Sequence, residues 1–466
     1  MQLTEAHERC RESLIWAIGQ IQGPIDESQI GQLDNIAELI IQTMTGTWRY
    51  FHTPEHIFEV GGSKDPIEVL AALFHDMVYV QVDQGINLNI SSYIAPFIRE
   101  VKSQLTIRPS TDLPQNRLFD IVITIFGFSP SQTLSPFSGQ NEFLSAVIAA
   151  LCLNSFLSEC VIAEISACIE ATIPFRPKLE SGLTANDLLC QRLTLANQNF
   201  NFGWTEEKII DVVKRSVRLA NRDVENFAAP NSAHFLDNTW NLMPETNHEL
   251  SNANSYTVAG YRRSMQKMEG FMNFLKPDLV FQQFMGEPDD LTYNQMIANT
   301  QKNLEVARLY LGIKVVTIAI LEALSYRLGQ TIPVSTMMGE LPTPGIITPT
   351  LEQFLPEVKN PYPPQTSLEV EVLELLAKGR SQDSPYDIKN SPVATFIIKA
   401  IGYDEMKRLL SISKDFFAGN MSAEEFITYC NPYVIETIVS GVLKLFESRA
   451  NSFRGFNPAV KLELSR

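Results

Sequence analysis

Residues 49–76 decide the fold, and they read RYFHTPEHIFEVGGSKDPIEVLAALFHD. Thr53 is a favoured N-cap and Pro54 suits the first helical position, which predicts a short helix that ends at the glycine pair. Asp65 and Pro66 repeat this start signal, and the residues after them form an apolar stripe at helical spacing. Two helices joined by so tight a turn can pack side by side, so the segment predicts a helical hairpin.

The hairpin would bring His56, in the first turn of one helix, close to His75 and Asp76 at the end of the other. Imidazole and carboxylate side chains without cysteine suit a divalent metal ion such as Mn²⁺, Fe²⁺, Co²⁺, Zn²⁺ or Mg²⁺. His52 precedes the first helix, so its ring need not share this task and can donate a proton instead. The segment therefore predicts a metal site with an adjacent acid.

We expect a fourth ligand from a helix predicted over 206–226. Its apolar stripe continues to Asp223, and a carboxylate on an apolar face must be paired, hydrogen-bonded or metal-bound. A lone histidine on an apolar face is most often part of the core, but His56, His75, Asp76 and Asp223 together favour a metal site over a metal-free helical scaffold. Arg49 has two open roles, because it can hold a substrate phosphate or form a salt bridge that stabilises the hairpin.

The rest of the chain extends the helical pattern. It has 466 residues, of which 45% are hydrophobic and 19% charged, so it can bury a sizeable core and is not disordered as a whole. Apolar residues recur at helical spacing and strand-like alternation is almost absent, which predicts an all-α fold. The net charge of −16 disfavours nucleic acid and membrane surfaces as partners. Charged N-terminal residues, cysteines without a CxxC pair and no apolar spanning stretch predict a cytoplasmic protein.

Proline content suggests the domain organisation. Prolines are dense between 338 and 365, where they exclude a continuous helix. We therefore predict a helical metal-binding domain over 1–285, a connecting long helix over 286–337, a proline-rich linker over 338–365 and a C-terminal helical module over 366–466. The sequence leaves the role of this last module open.

The histidine and aspartate positions resemble the HD superfamily of metal-dependent phosphohydrolases, whose signature is a His, a His-Asp doublet and a distant Asp on a later helix. The doublet region reads ALFHDMVY over 72–79. Cyclic-nucleotide phosphodiesterases, a more distant likeness, share the His-x3-His opening. The resemblance implies an HD-type helical bundle in which His52 is the general acid and the metal ligands are His56, His75, Asp76 and Asp223.

Two further stretches are similar to segments of such proteins. Glu170 and Thr172 lie in a stretch similar to the helix that lines the metal pocket. Met268 and Phe271 lie in one similar to the phosphodiesterase segment that clamps the base. The resemblance implies that these four residues bind substrate. Tyr79 stands where phosphodiesterases have a histidine for a second metal, so the sequence leaves one or two metal ions open.

The residues and the resemblance together imply an enzyme that hydrolyses a small-molecule phosphoric ester, with a nucleotide as the expected substrate. His52, Asp76 and Arg49 are the expected catalytic residues, with Asp76 or Asp223 orienting the attacking water. The alternative is an HD-domain protein of weak activity that binds a nucleotide in a sensing or regulatory role. The sequence leaves open whether the chain forms a homo-oligomer.

Overall fold

The computed structural model describes residues 2–252, 255–329, 331–341 and 349–445. Helices dominate these ranges, which confirms the predicted all-α fold class. The chain divides into two compact units, and each is described by itself. Unit 1 comprises the chain up to Phe227 together with Lys276–Ala298, and unit 2 comprises Ala228–Leu275 and the chain from Asn299 onward.

Unit 1 contains most of the shorter elements. In chain order these are α1 (Leu3–Gln22), α2 (Glu27–Met44), α3 (Pro54–Gly61), α4 (Pro66–His75), α5 (Val80–Asp83), α6 (Leu88–Ile94), β1 (Ile98–Val101), β2 (Gln104–Ile107), α7 (Arg117–Phe126), α8 (Gln140–Leu153), α9 (Glu159–Ala171), α10 (Ala185–Phe200) and α11 (Glu206–Asp223). Single turns of 3-10 helix cover Pro136–Ser138 and Glu225–Ala228.

The remaining elements belong mainly to unit 2. They are α12 (Ser232–Thr246), α13 (Val258–Phe274), α14 (Pro277–Val280), α15 (Asp290–Ser325), α16 (Val334–Met338), α17 (Ser367–Lys378), α18 (Pro392–Phe417), α19 (Ala423–Tyr429) and α20 (Pro432–Leu445), with 3-10 turns at His248–Ser251 and Leu351–Phe354. Of these, α14 lies in unit 1, and α15 begins in unit 1 and continues in unit 2.

The centre of unit 1 is α4. It packs against α1, α3, α8 and α9, and every residue from Ile67 to His75 is buried. Apart from Glu68 and His75, its residues from Ile67 onward are apolar on all sides, and a helix of this kind is usually buried. Gly61 lets α3 approach closely, because a Cβ at that position would lie 3.3 Å from Ala72 Cβ and 3.4 Å from Val69 Cα. The hairpin predicted from residues 49–76 is therefore present.

A short antiparallel hairpin of β1 and β2 is the element that hydrophobic periodicity did not predict. Ile98 pairs with Ile107, and Lys102 and Ser103 form the turn with positive φ angles of 51° and 61°. Both residues of a two-residue hairpin loop of this type need a positive φ, and glycine or asparagine is usually found there. Lys102 and Ser103 are neither, so the sequence does not indicate the turn. Strands of four residues are also too short for alternation to stand out.

The division into units differs from the predicted boundary at residue 285. The segment containing α12 and α13 belongs to unit 2. The reason is a set of contacts with residues distant in the sequence. Trp240 Nε1 donates to Asp387 Oδ2 at 2.9 Å, and Asn303 Nδ2 donates to the carbonyl of Ala229 at 2.7 Å.

The proline-rich segment also differs from a simple linker. Residues 342–348, with Pro342 and Pro344, lie outside the described residues. The part that follows is folded in unit 2, where Leu351 is fully buried beside Gly441 of α20. Of the predicted C-terminal module, residues 446–466 also lie outside the described ranges. Within those ranges, the structure contains no helix with the length and hydrophobicity that a membrane crossing requires.

Candidate metal centre

Four side chains of unit 1 converge at the ends of α4 and α11. One ligand atom from each of His56, His75, Asp76 and Asp223 lies within 4.8 Å of the others. His56 Nε2 is 3.0 Å from Asp223 Oδ1 and 3.5 Å from Asp76 Oδ2. His75 Nε2 is 3.0 Å from Asp76 Oδ2 and 3.3 Å from Asp223 Oδ1. The structure thus brings together all four residues that the sequence proposed as ligands.

The orientation of His75 suits a metal ligand. Its ring is buried, and Nδ1 donates to the carbonyl of Ala72 at 2.8 Å, because a carbonyl oxygen can only accept. This bond fixes the tautomer and directs Nε2 toward the cluster, as the outer hydrogen bond of a metal-binding histidine usually does. His75 Nε2 and Asp76 Oδ2 are close but not aligned for a hydrogen bond, and neither has a hydrogen-bond partner among the described residues. Two such buried atoms facing each other fit a cation between them.

The histidines and aspartates of the cluster shift one another's pKa values toward the charged forms. Burial lowers the pKa of His75, but the charges of Asp76 and Asp223 outweigh burial and hold that pKa well above its usual value. Burial would raise the pKa of either carboxyl, yet the neighbouring histidines, His75 first, keep both pKa values below the usual range. The site therefore holds two carboxylates that are stabilised only by positive charge, whether from protonated imidazole or from a metal ion.

Ion pairs fix α11 against the α3–α4 hairpin and so position Asp223. Glu68 of α4 is buried and accepts from Arg218 Nε at 2.9 Å and from Arg222 Nη2 at 2.7 Å. Arg222 also donates through Nε to the carbonyl of Val60. Arg222 directly precedes Asp223, so these bonds hold the end of α11 where its carboxylate meets the two histidines.

Arg49 supports the same region from the other side. Its side chain is buried and pairs with Asp83, with Nη2 2.7 Å from Oδ2. Nη1 donates to the carbonyl of Asp76 at 2.6 Å, and Nη2 to that of Met77 at 3.3 Å. Of the two roles open to Arg49, the structure shows the salt bridge. The guanidinium holds the backbone of the His-Asp segment, and contact of Arg49 with a substrate phosphate stays a prediction.

His52 lies beside the cluster without belonging to it. Its ring packs edge-on against Tyr79 with 4.5 Å between centroids, and its centroid is 5.7 Å from that of His56. His52 still acts on the site electrostatically, since it contributes to the lowered pKa of Asp76. This placement leaves His52 next to His56 but outside the group of four possible metal ligands.

Glu142 is a site residue that the sequence reasoning missed. It follows Asn141, whose Oδ1 accepts from the backbone N of Val80 at 3.2 Å and so ties α8 to the segment after Asp76. Burial and the charges of Asp76 and Asp223 raise the pKa of Glu142 to about 7, although its own backbone N–H lowers it. Its Oε2 has no hydrogen-bond partner among the residues that the structure describes. A buried carboxyl that titrates near neutrality beside two carboxylates is a candidate proton carrier.

The expected substrate residues on α9 have structural partners. Glu170 is fully buried, and its Oε1 accepts from Arg176 Nη1 and Arg192 Nη2, each at 2.6 Å. Burial would raise the pKa of Glu170, but the two arginine charges outweigh it and lower that pKa. Thr172 is buried and its hydroxyl donates to the carbonyl of Ile169 at 2.8 Å. Both residues fix the end of α9, and substrate contact by either stays a prediction.

The second pair of expected substrate residues lies on α13. Met268 is buried and Phe271 half-buried, and both belong to unit 2, whereas the metal cluster belongs to unit 1. Their position on an amphipathic helix is that of ordinary core residues. Base binding by this pair stays a prediction.

Comparison of the chain with protein-family models, with curated proteins and with solved structures found no match in any of the three.

Proposed function

We propose that this chain is a metal-dependent phosphohydrolase of the HD type that cleaves a phosphoric ester of a nucleotide. The observation that carries the proposal is the convergence of His56, His75, Asp76 and Asp223 on one point. Two imidazoles and two carboxylates match Mn²⁺, Fe²⁺, Co²⁺ or Zn²⁺, and the all-oxygen preference of Mg²⁺ places it last.

A cation held by these residues would supply Lewis acidity toward a phosphoryl oxygen and favour the ionisation of water. Two side chains outside the group of ligands would carry out the two proton transfers, one as an acid and the other as a base. His52, which is not one of the four, would protonate the departing oxygen. Glu142, whose carboxyl is influenced by the charges of Asp76 and Asp223, would accept the proton of the attacking water. Asp76 or Asp223 would orient that water through a carboxylate oxygen.

The test combines metal analysis with turnover. The full chain is purified without chelator, analysed for bound metal, and then assayed with Mn²⁺, Mg²⁺, Co²⁺, Fe²⁺ or Zn²⁺ against a nucleotide panel that includes cyclic forms. We expect about one metal ion per chain and release of phosphate or ring opening. His75→Ala and Asp76→Ala are expected to lose both, while His7→Ala, an unrelated histidine on α1, keeps both. Absence of metal from purified and metal-soaked protein would refute the proposal.

A second outcome of the same assay distinguishes the alternative function. Protein that binds metal and nucleotide but releases no product from any panel member would act as a nucleotide-binding sensor. The separate unit 2 is the observation in favour of this alternative, because a second folded unit offers a route for passing a binding signal.

A further inference from the structure

Unit 2 contains an open groove of about 860 Å³ whose lining residues come from 361–369, 401–405 and 429–432. These stretches include the segment before α17, the middle of α18 and the start of α20. More than half of the lining residues are exposed to solvent. A small-molecule site buries most of its ligand's surface, whereas an open groove of this size suits a chain segment that lies across it.

Two exposed tyrosines line this groove. Tyr362 is 53% exposed and Tyr429 is 43% exposed. Among the described residues, both form hydrogen bonds only through the backbone: the N–H of Tyr362 donates to Asn360 Oδ1, and the carbonyl of Tyr429 accepts from Arg408 Nη2. Their hydroxyls can therefore donate to a ligand. Three prolines add rigid apolar surface to the groove: Pro361, Pro363 and Pro432.

The contacts of Tyr362 and of the groove floor are tight. Gly402, at the kink of α18, has a φ of 79°, and a Cβ there would lie 2.9 Å from Tyr362 Cβ and 3.0 Å from its Cγ. Only glycine allows both this conformation and this approach. The Tyr403 hydroxyl donates to the carbonyl of Glu369 at 2.6 Å and so joins α18 to α17. A groove that exists before binding lowers the entropic cost of taking up a ligand.

The groove is also acidic. Glu369, Asp404 and Glu405 line it, and no lysine or arginine of the described residues does. The charge of Glu405 is already paired with Arg408, with Nη2 2.6 Å from Oε1. Asp404 is fully exposed and its ion pair with Lys407 is 3.9 Å long, and exposed pairs of this kind contribute little. Asp404 therefore remains to attract a cationic group of a ligand.

We propose that this groove binds an extended, proline-rich segment of another protein that also carries an arginine or a lysine. A polyproline II segment makes no internal hydrogen bonds, so its carbonyl oxygens can accept from the hydroxyls of Tyr362 and Tyr429. Its proline rings would pack against the tyrosine rings, and its cation would pair with Asp404. Such a segment is already extended when free, so little conformational freedom is lost on binding.

Synthetic peptides test the groove by calorimetric titration of the full chain. The probes are Arg-Pro-Pro-Ala-Pro-Pro-Ala-Pro and the same peptide in reverse order, because the arginine can precede or follow the prolines. One comparison peptide has glutamate in place of arginine, and another has alanine in place of every proline. We expect saturable binding of at least one probe and at least about tenfold weaker binding of both comparison peptides. No saturable binding of either probe, or equal binding of a comparison peptide, would overturn the proposal.

Variants locate the binding. Tyr429→Ala is expected to weaken it at least about tenfold, and Asp404→Asn by ~3–10-fold with a smaller dependence on salt. The matched controls are Tyr433→Ala and Asp415→Asn, because both residues are exposed and lie outside the groove lining. Unchanged affinity in both test variants, with far-UV circular dichroism like that of the wild type, would also overturn the proposal. The wild-type titrations remain decisive if a variant does not fold.

The docking site and the proposed function fail in different ways. Peptide binding without phosphate release from any nucleotide supports the groove and removes the phosphohydrolase function, whereas phosphate release without peptide binding does the reverse. His75→Ala is expected to lose its metal and still bind the peptide as the wild type does, because His75 belongs to unit 1. A concentration-dependent dimer in sedimentation, without peptide binding, would assign the groove to a second copy of the chain and overturn the proposal.

Discussion

His52 and His56 are four residues apart, yet only His56 belongs to the cluster of possible metal ligands. His56 Nε2 lies 3.0 Å from Asp223 Oδ1, whereas His52 packs against Tyr79 outside the cluster. We expect His52→Ala to keep its metal and to lower kcat by ~10²–10⁴, the usual contribution of a general acid. His56→Ala should lose both metal and turnover. Elemental analysis and phosphate release on the same preparations measure the two effects, and equal metal loss in both variants would contradict the division of roles.

The Glu142 carboxyl makes stability depend on pH. Burial, assisted by Asp76 and Asp223, raises its pKa from the usual 4.5 to about 7. The protonated form is therefore favoured by folding, and this contribution is complete below pH 4.5 and is lost as the pH rises through about 7. Glu142→Gln cannot ionise, so in chelator-treated protein it should raise Tm by ~2–4 °C or more at pH 8 and by less at pH 5.

The matched control for this prediction is Glu12→Gln on the exposed side of α1. It should change Tm by the same amount at both pH values, because Glu12 is exposed and lies on a helix that carries none of the cluster residues. If Glu142→Gln also gave the same difference at pH 5 and pH 8, the surroundings of Glu142 would not be holding the carboxyl neutral.

At the residue scale, the sequence is most informative where a polar or charged side chain occurs in a position that is otherwise typical of apolar residues or of a helix start. Asp223 lies on an apolar stripe, and His56 follows a threonine and a proline that are typical of a helix start, so the sequence alone singles out both residues. It does not single out Glu142, because an acidic residue in the first turn of a helix is common and favourable. What distinguishes Glu142 is its closeness to Asp76 and Asp223, and that closeness depends on how α8 packs.

At the scale of elements, the contact between α3 and α4 is the feature that the site depends on. A side chain at Gly61 would press on Ala72 and Val69. Gly61→Val is therefore expected to lower the free energy of unfolding by ~1–3 kcal/mol, as overpacking does. It should also weaken metal binding, because α3 carries His56. Urea unfolding and metal titration measure the two effects.

Gly31→Ala is the control for that substitution. Gly31 lies within α2 and a Cβ there would meet nothing within 4 Å. Replacing a helical glycine by alanine in open space should raise the free energy of unfolding by ~0.5–1 kcal/mol. A Gly61→Val variant as stable as the wild type would mean that the two helices can separate without cost.

The helix starts were predictable because they depend on single residues. Asp65 accepts from the backbone N–H groups of Ile67 and Glu68, as its position before Pro66 suggested. Thr53 also occupies the N-cap position, but its side chain makes no capping bond to the helix backbone. Local signals thus placed the element correctly even where the capping contact differs.

At the scale of the whole molecule, the sequence predicted modules in linear order, whereas the chain leaves unit 1 after Phe227 and returns to it at Lys276. Hydrophobic periodicity and proline content depend only on residues that are close together in the sequence. The boundary depends instead on contacts such as that between Trp240 and Asp387, which are 147 residues apart. Local sequence patterns therefore cannot predict a contact between residues so far apart in the chain.

Unit 2 contains an ion pair between the buried Lys314 and the half-buried Asp387. Asp387 Oδ2 accepts from Lys314 Nζ at 3.0 Å, Trp240 Nε1 at 2.9 Å and the Tyr261 hydroxyl at 2.8 Å. Burial would raise the pKa of Asp387, but the charges of Lys314 and Arg380 outweigh burial and lower that pKa. Asp387→Asn leaves Lys314 buried without an anionic partner, so we expect a loss of ~3–5 kcal/mol in the free energy of unfolding.

The double variant Lys314→Met with Asp387→Asn separates the charge from the packing. It removes both members of the pair, so the buried cation that makes the single variant unstable is gone, and most of the lost stability should return. The exposed pair of Lys378 and Glu374 serves as the control, since Glu374→Ala should cost no more than ~0.5 kcal/mol. Urea unfolding of these variants measures each difference. A double variant no more stable than Asp387→Asn would show that the aromatic hydrogen bonds to Asp387, and not its pairing with Lys314, stabilise the centre of unit 2.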